Sequence, residues 1–375
     1  LETMQNVKKV IPINDPWEAY LDVKEFGEMK LSNIEFTTTT MCNMRCAHCA
    51  VGYTLQNRDP DALPIDLIIQ RLDEIPHLRT LSITGGEPMM NKKSVRGYVV
   101  PLLQYAADRG VKTQINSNLT LPYNRYEEII PYLDVLHISH NWGTAEEFAE
   151  TGFALMDRKP SLNNRKNYFK RMVDNSKRLA DAGIMVSAET MLNNRTYPYL
   201  EQIHDHVKEM GCARHEIHPM YPVDFASNLE ILTLDEIRSS IHRLLDYRNK
   251  DMWMLFGTLP FYACNSNQED LNLLKRLYKE DNVTLRNDPD GRSRLNVNIF
   301  SGDIIVTDFG DEEPSLGNIQ TTTLPDAYAR WMRTKTAKSL NCHCPAVNCL
   351  GPNILVKNAY YKDVDFQTRK ARISR

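Results

Sequence analysis

Short apolar runs alternate with longer amphipathic stretches from about residue 33 to residue 221, and this rhythm predicts a series of βα units. Strands are expected over 34–40, 78–84, 111–117, 133–139, 184–190 and 213–219. Between them, apolar residues recur at helical spacing over 65–72, 95–108, 123–132, 167–181 and 199–210. Three of these helices run into a glycine just before the next strand: Gly110, Gly183 and Gly211. Glycine at that place ends a helix in the left-handed conformation without a Cβ clash. Successive βα units imply a parallel sheet, because right-handed crossovers set consecutive strands side by side. An incomplete barrel suits six units better than a closed eight-fold one, and a doubly wound sheet stays open. Either arrangement places chemistry at the carboxyl ends of the strands. The connection 141–164 exceeds a simple turn; it reads as a surface insertion or as a cover over the barrel mouth.

Beyond residue 221 the alternation fails. A helix over 232–247 and a short strand over 253–256 precede the turn cluster 287–291. Runs at 295–300 and 304–307 about Gly302 predict a hairpin, and a helix is expected over 324–339. The expected fold class is α/β: a partial (β/α)6 TIM-like barrel with a smaller α+β C-terminal extension. The corresponding division is 1–30 as an N-terminal segment, 31–225 as the barrel and 226–255 as a connecting helix. Residues 256–355 form the smaller region and 356–375 a tail.

The chain has 375 residues, 42% of them apolar, enough to fill a large core. A net charge of −3 leaves no polybasic footprint, so nucleic acid is not the expected partner. No apolar run approaches the ~18 residues of a membrane span, and no secretory signal is evident. The expected location is the cytoplasm, where the eight cysteines are thiols or metal ligands rather than disulfides. They fall into an early triplet (Cys42, Cys46, Cys49) and a late one (Cys342, Cys344, Cys349), with Cys212 and Cys264 alone.

The early triplet follows the first predicted strand directly. Thiolates select zinc or an iron–sulfur cluster. A four-iron cube has four corners, so three thiolates leave one iron open to a chelating ligand. A zinc knuckle completed by His48 is the competing reading. At the end of the second strand, Gly85-Gly86-Glu87-Pro88 offers a close-approaching backbone and a carboxylate suited to an ammonium group. Polar residues at later strand ends, Asn116, Ser139 and Glu189, are candidates for a ligand's remaining groups or for structural hydrogen bonds. For His140 and His218 a packing role is the stronger reading. His215 and His218 lie on a strand with the wrong spacing for a zinc-protease helix. Cys212, ahead of the sixth strand, reads as a buried structural thiol.

The CxxxCxxC loop with the GGE turn resembles the radical S-adenosylmethionine (SAM) superfamily. That resemblance implies a [4Fe–4S] cluster held by Cys42, Cys46 and Cys49. It implies SAM chelating the open iron, with Gly85, Gly86 and Glu87 at its amine and His48 near its adenine. An electron from the cluster then gives a 5′-deoxyadenosyl radical that abstracts a substrate hydrogen. The late CxCxxxxC segment is compatible with zinc or iron–sulfur on spacing, and Cys264 is the available fourth thiol. The 295–300 strand, Gly302, Leu316-Gly317-Asn318-Ile319, Trp331 and the clustered cysteines look like a shortened SPASM or Twitch extension. Full SPASM extensions carry two auxiliary clusters and a cysteine after the hairpin glycine; residues 304–307 have none. The resemblance therefore implies one auxiliary [4Fe–4S] cluster at Cys264, Cys342, Cys344 and Cys349. Segments such as SNIEFTTTTMCNMRC, LRTLSITGGEP and CHCPAVNCLGPN look like the YfkAB-type radical SAM/CxCxxxxC proteins. A peptide or protein substrate is expected, a small molecule being nearly as plausible, together with a flavodoxin- or ferredoxin-like one-electron reductant. A non-catalytic zinc or iron–sulfur sensor is the alternative of another class.

Overall fold

The computed structural model describes residues 15–307, 315–340, 342, 344–369 and 371. All six predicted strands are present in order: β1 (Asn33–Thr37), β2 (Thr80–Thr84), β3 (Lys112–Asn116), β4 (Val135–Ser139), β5 (Met185–Leu192) and β6 (Arg214–Pro219). Gly110, Gly183 and Gly211 adopt φ of 70°, 89° and 74°, the left-handed geometry their positions require.

The alternation runs further than the sequence pattern implies. Helices Leu234–Tyr247 and Gln268–Lys279 lead to two more parallel strands, β7 (Trp253–Gly257) and β8 (Val283–Arg286). β9 (Arg294–Asn298) and β10 (Ile304–Ile305) form the expected hairpin, with Val297 opposite Ile304. β9 also lies parallel to β1, from Asn33 opposite Arg294 to Thr37 opposite Asn298. A single sheet results, in the order β10-β9-β1-β2-β3-β4-β5-β6-β7-β8, antiparallel only at β9–β10. The rhythm is obscured because β8 is four residues long and half-buried throughout, and the stretch between β7 and the next helix is irregular.

The sheet curls into an open barrel whose interior is part apolar and part charged. The Trp17 indole donates to Ser82 Oγ on β2 at 3.0 Å and belongs to one buried cluster with Val135 on β4, Met185 on β5 and Trp253 and Leu255 on β7. A flat sheet, with neighbouring strands ~5 Å apart, could not bring β2 and β7 to one cluster. The N-terminal segment thus fills the interior. Helices cover the outer face over the main core of Ile34, Phe36, Leu81, Ile83, Ile115, Leu136 and Ile138, all 0–1% exposed.

Candidate active site

Cys42, Cys46 and Cys49 follow β1 and are half-buried. Asp59 holds the start of their loop: its carboxylate accepts from Thr39 Oγ1 (2.6 Å), Thr40 N (2.7 Å), Thr40 Oγ1 (2.9 Å) and Asn91 Nδ2 (2.6 Å). Met44 plugs the core, and Arg45 N and Ala47 N donate to the carbonyls of Gly152 and Thr151 at 3.1 and 2.9 Å. The long connection after β4 therefore carries a helix, Ala145–Thr151, whose end walls the cysteine loop.

The thiols fit a cluster better than a zinc ion. Tetrahedral zinc with Zn–S near 2.3 Å would bring sulfurs to roughly 3.8 Å of one another. No three cysteine sulfurs lie within 4.8 Å of one another among the described residues, so the thiols do not form a preformed zinc set, and three of them leave one corner of a four-iron cube open. His48 does not complete it. Its ring lies 5.3 Å from that of Trp142, and its Nε2 faces Asn141 Nδ2 at 3.2 Å. Burial lowers its pKa to about 4, so the ring is neutral and accepts from the amide. Burial also pushes the Cys42 thiol up to about 12; a bound cationic centre is what would deprotonate it.

The GGEP turn is locked to this loop. Gly86 N donates to Thr39 O at 3.0 Å and Glu87 N to Met41 O at 2.8 Å. A Cβ on Gly85 would sit 2.5 Å from Thr39 O, and one on Gly86 2.3 Å from Met41 O. The glycines are thus needed for one loop to lie on the other, a reason the sequence did not reveal. Gly86→Ala is expected to displace the cysteine loop and lower iron retention by at least ~2-fold at unchanged helical content, since backbone atoms cannot yield as a side chain does. Iron assay and far-UV circular dichroism after anoxic reconstitution check this.

Glu87 is 1% exposed, and its carboxylate already accepts from Ser117 Oγ (2.9 Å), Met89 N (3.1 Å) and Asn118 N (2.7 Å). Burial outweighs these donors and raises its pKa to about 7. The carbonyls of Gly85 and Gly86 accept no hydrogen bond among the described residues. Sequence reasoning missed Asn118, whose Nδ2 donates to Asn43 Oδ1 at 2.9 Å and lies 3.9 Å from Cys42 Sγ, while Asn43 donates to Thr120.

Of the other strand-end candidates, Asn116 accepts from Gln114 Nε2, and Ser139 is exposed opposite Glu189. Glu189 meets a charged network across the barrel interior. Its Oε2 faces His137 Nε2 at 3.0 Å and His218 Nε2 at 3.8 Å. Glu216 pairs with Arg214, accepts from Ser187 Oγ and Arg286 Nη1 at 3.0 Å each, and faces His218 Nε2 at 3.1 Å. Arg286 pairs in turn with Asp15. Burial alone would raise Glu189, but His218 and His137 outweigh it and hold its pKa at about 2. Burial alone would lower His218; Glu189 and Glu216 prevail and its pKa stands above the ordinary value. His218 is therefore an interior ionic residue rather than a packing one, and Gly257 makes room for it, since a Cβ there would lie 2.1 Å from the ring. His140 is a packing residue: 0% exposed and driven to about 3 by burial. Of the missed His137, Glu216 and Arg286, only Glu216 had a signal, the spacing of Arg214, Glu216 and His218 at every second position of one strand.

At the other end of the sequence the structure brings Cys264, Cys342, Cys344 and Cys349 together. Cys264 leaves the carboxyl end of β7, the same end of the sheet that β1 presents to the early thiols. Cys344 and Cys349 exchange N–H···O bonds of 2.7 and 3.1 Å, and Cys342 N donates to Leu350 O. Burial pushes Cys342 up to about 11 and Cys349 to about 12; charges on Cys264 and Cys344 push Cys342 further, and those on Cys342 and Cys344 push Cys349. Gly351 N donates to Cys349 Sγ at 3.2 Å, and a Cβ on Gly351 would lie 2.5 Å from Cys342 Sγ. Cys212 stands apart, buried, 3.9 Å from Ser176 Oγ.

The family model of the radical SAM superfamily matches residues 36–207, and that of the YfkB-like domain matches 220–371. Over 371 residues the chain is 67% identical to protein YfkA of Bacillus subtilis (strain 168), covering 98% of this chain and 99% of that one. It is a YfkA-type member of the radical SAM superfamily. Solved structures share the fold at low identity. Streptococcus suis SuiB bound to SAM gives a TM-score of 0.59 at 17% identity, over 89% of this chain and 76% of SuiB. The structure anSMEcpe with AdoMet and the Cp18Cys peptide gives 0.54 at 12%, over 81% and 80%. The superfamily's cofactors are a [4Fe–4S] cluster and SAM, and the early thiols fit that cluster. No helix among the described residues is long and apolar enough to cross a membrane.

Proposed function

We propose that this radical SAM protein modifies a peptide or protein substrate, using a SAM-binding cluster at Cys42, Cys46 and Cys49 and one auxiliary [4Fe–4S] cluster at Cys264, Cys342, Cys344 and Cys349. The observation that carries the reading is the set of three thiols at the exit of β1, beside two glycine carbonyls that have no donor among the described residues. Those carbonyls, rather than the enclosed Glu87 carboxylate, are suited to the SAM ammonium group. Glu87 instead fixes the exit of β3. His48 lies along the loop for the adenine; Asn116 and Ser139, at the ends of β3 and β4, and Glu189, within β5 opposite Ser139, are the candidates for the remaining polar groups. Bound there, cluster and SAM would supply a 5′-deoxyadenosyl radical that removes a substrate hydrogen atom. The peptide class is supported by the fold neighbours SuiB, solved with precursor peptide SuiA, and anSMEcpe, solved with Cp18Cys peptide. Four auxiliary thiolates fill every corner of a cube, which suits electron transfer more than substrate binding. A cytoplasmic flavodoxin- or ferredoxin-like donor supplies the electron.

Anoxic reconstitution tests this. The chain should bind about eight irons with matching sulfide, two cubes' worth, and release 5′-deoxyadenosine on reduction with SAM. Cys344→Ala should lose about half of the iron, keep SAM cleavage within ~3-fold of the parent and fail to form product. Zinc without sulfide would instead identify a scaffold and end the proposal.

A further inference from the structure

Arg292 lies in the turn between β8 and β9 and is 1% exposed. The turn is firmly held. Pro289 O accepts from the amides of Arg292, Ser293 and Arg294, the Trp331 indole donates to Gly291 O at 2.9 Å, and Tyr328 Oη donates to Arg292 O at 2.6 Å. The guanidinium meets only carbonyls: Nη1 donates to Asp288 O (3.2 Å), and Nη2 to Gly351 O (2.7 Å), Pro352 O (2.9 Å) and Leu350 O (3.4 Å). Nε has no partner, and no carboxylate pairs with Arg292 among the described residues. The Asp288 side chain is engaged by Asp290 N and Asn353 Nδ2.

A guanidinium cannot shed its charge, and a buried cation without a counter-ion is strongly disfavoured. The groups beside it that become anionic on binding a metal are Cys342 and Cys349: its Nη2 donates to the carbonyls of Leu350, Gly351 and Pro352, Gly351 N donates to Cys349 Sγ, and Gly351 abuts Cys342 Sγ. Arg369, which bonds Cys264, is exposed and solvated, so it poses no such problem. We infer that Arg292 is the fixed counter-ion of the auxiliary centre, balancing the net negative charge of a cluster on Cys264, Cys342, Cys344 and Cys349 and raising its midpoint potential. This rests on the auxiliary-cluster reading above. The cation stabilises the more negative, reduced state more than the oxidised one, which makes the centre a better electron acceptor.

The test uses the full chain carrying Cys42→Ala, so that the auxiliary centre alone gives an electron paramagnetic resonance signal. Midpoint potentials and iron content are compared with and without Arg292→Gln and Arg292→Lys. Arg292→Gln should lower the potential by at least the 59 mV that a tenfold one-electron change represents, or shed the auxiliary iron, while Arg292→Lys retains both. An unchanged potential in an iron-loaded Arg292→Gln chain overturns the inference alone. So does equal loss of iron in the Gln and Lys variants, which marks a merely structural side chain. Absence of auxiliary iron in the Cys42→Ala parent overturns the cluster reading, and the inference with it.

Discussion

A Cys42→Ala chain reconstituted without oxygen will bind iron and sulfide only at its late cysteines, and will form 5′-deoxyadenosine at less than about a thousandth of the parent rate, ~4 kcal/mol of lost transition-state stabilisation. With only two thiolates left, Cys46 and Cys49, the loop cannot hold a cube that presents one open iron. Neither His48 nor Glu87 can take the vacated corner: His48 is fixed between Asn141 and Trp142, and the Glu87 carboxylate is closed off by Ser117, Met89 and Asn118. The fold should survive. The loop is anchored by Asp59, by the Met44 side chain in the core and by the helix Ala145–Thr151; the Cys42 sulfur adds a contact from Met44 N at 3.4 Å and one from Asn118 Nδ2 at 3.9 Å. Iron and sulfide analysis together with chromatography of the nucleoside checks both halves. Retention of SAM cleavage by the variant would mean that the radical chemistry is not centred on this loop.

The early site was legible because its chemistry is local. Cys42, Cys46, Cys49, Gly85, Gly86 and Glu87 sit in two contiguous loops, each directly after an apolar strand, so chain order alone places them on neighbouring strand ends. The role of each residue was less legible. Gly85 and Gly86 read as an approach for a ligand, but their missing Cβ atoms first allow contact with Thr39 and Met41. Glu87 read as a free carboxylate, whereas Asn118 and Ser117, some thirty residues on, enclose it. The ends of the sheet were harder still. β8 is too short and too polar to show a period, and nothing in a local window says that β9 lies beside β1, about 260 residues away. His218 looked like a packing residue because its partners, Glu189 and Glu216, come from two strands and Gly257 from a third. The convergence of these charges from separate strands is a property of the curled sheet and is not visible along the chain.

That interior charge leads to the other large effect, a loss of stability by about 3–5 kcal/mol in Glu216→Ala. Glu216 is 0% exposed and is the shared acceptor for Arg214, Arg286 and His218. Alanine would leave Arg214, itself 1% exposed, with no carboxylate partner, and Arg286 with Asp15 alone. Removing one member of a buried ionic set is costly because the remaining charges stay desolvated without compensation. Glu189→Ala is the control: its side chain is 18% exposed and its partners are the two histidines, which can lose a proton. A loss of about 1 kcal/mol is expected there. The pH dependence follows from the direction of the shift. Burial would raise the Glu216 pKa, but Arg214 and Arg286 outweigh it and hold it well below the ordinary carboxylate value. Its contribution is therefore complete above the unfolded-state pKa of 4.5 and is lost as pH falls through the lower folded value. The Glu216→Ala chain should show a flatter acid limb than the parent in urea unfolding measured at a series of pH values. Equal stability of parent and variant at pH 7 would mean that water reaches the guanidinium groups, and that the barrel interior is not the closed ionic network its distances describe.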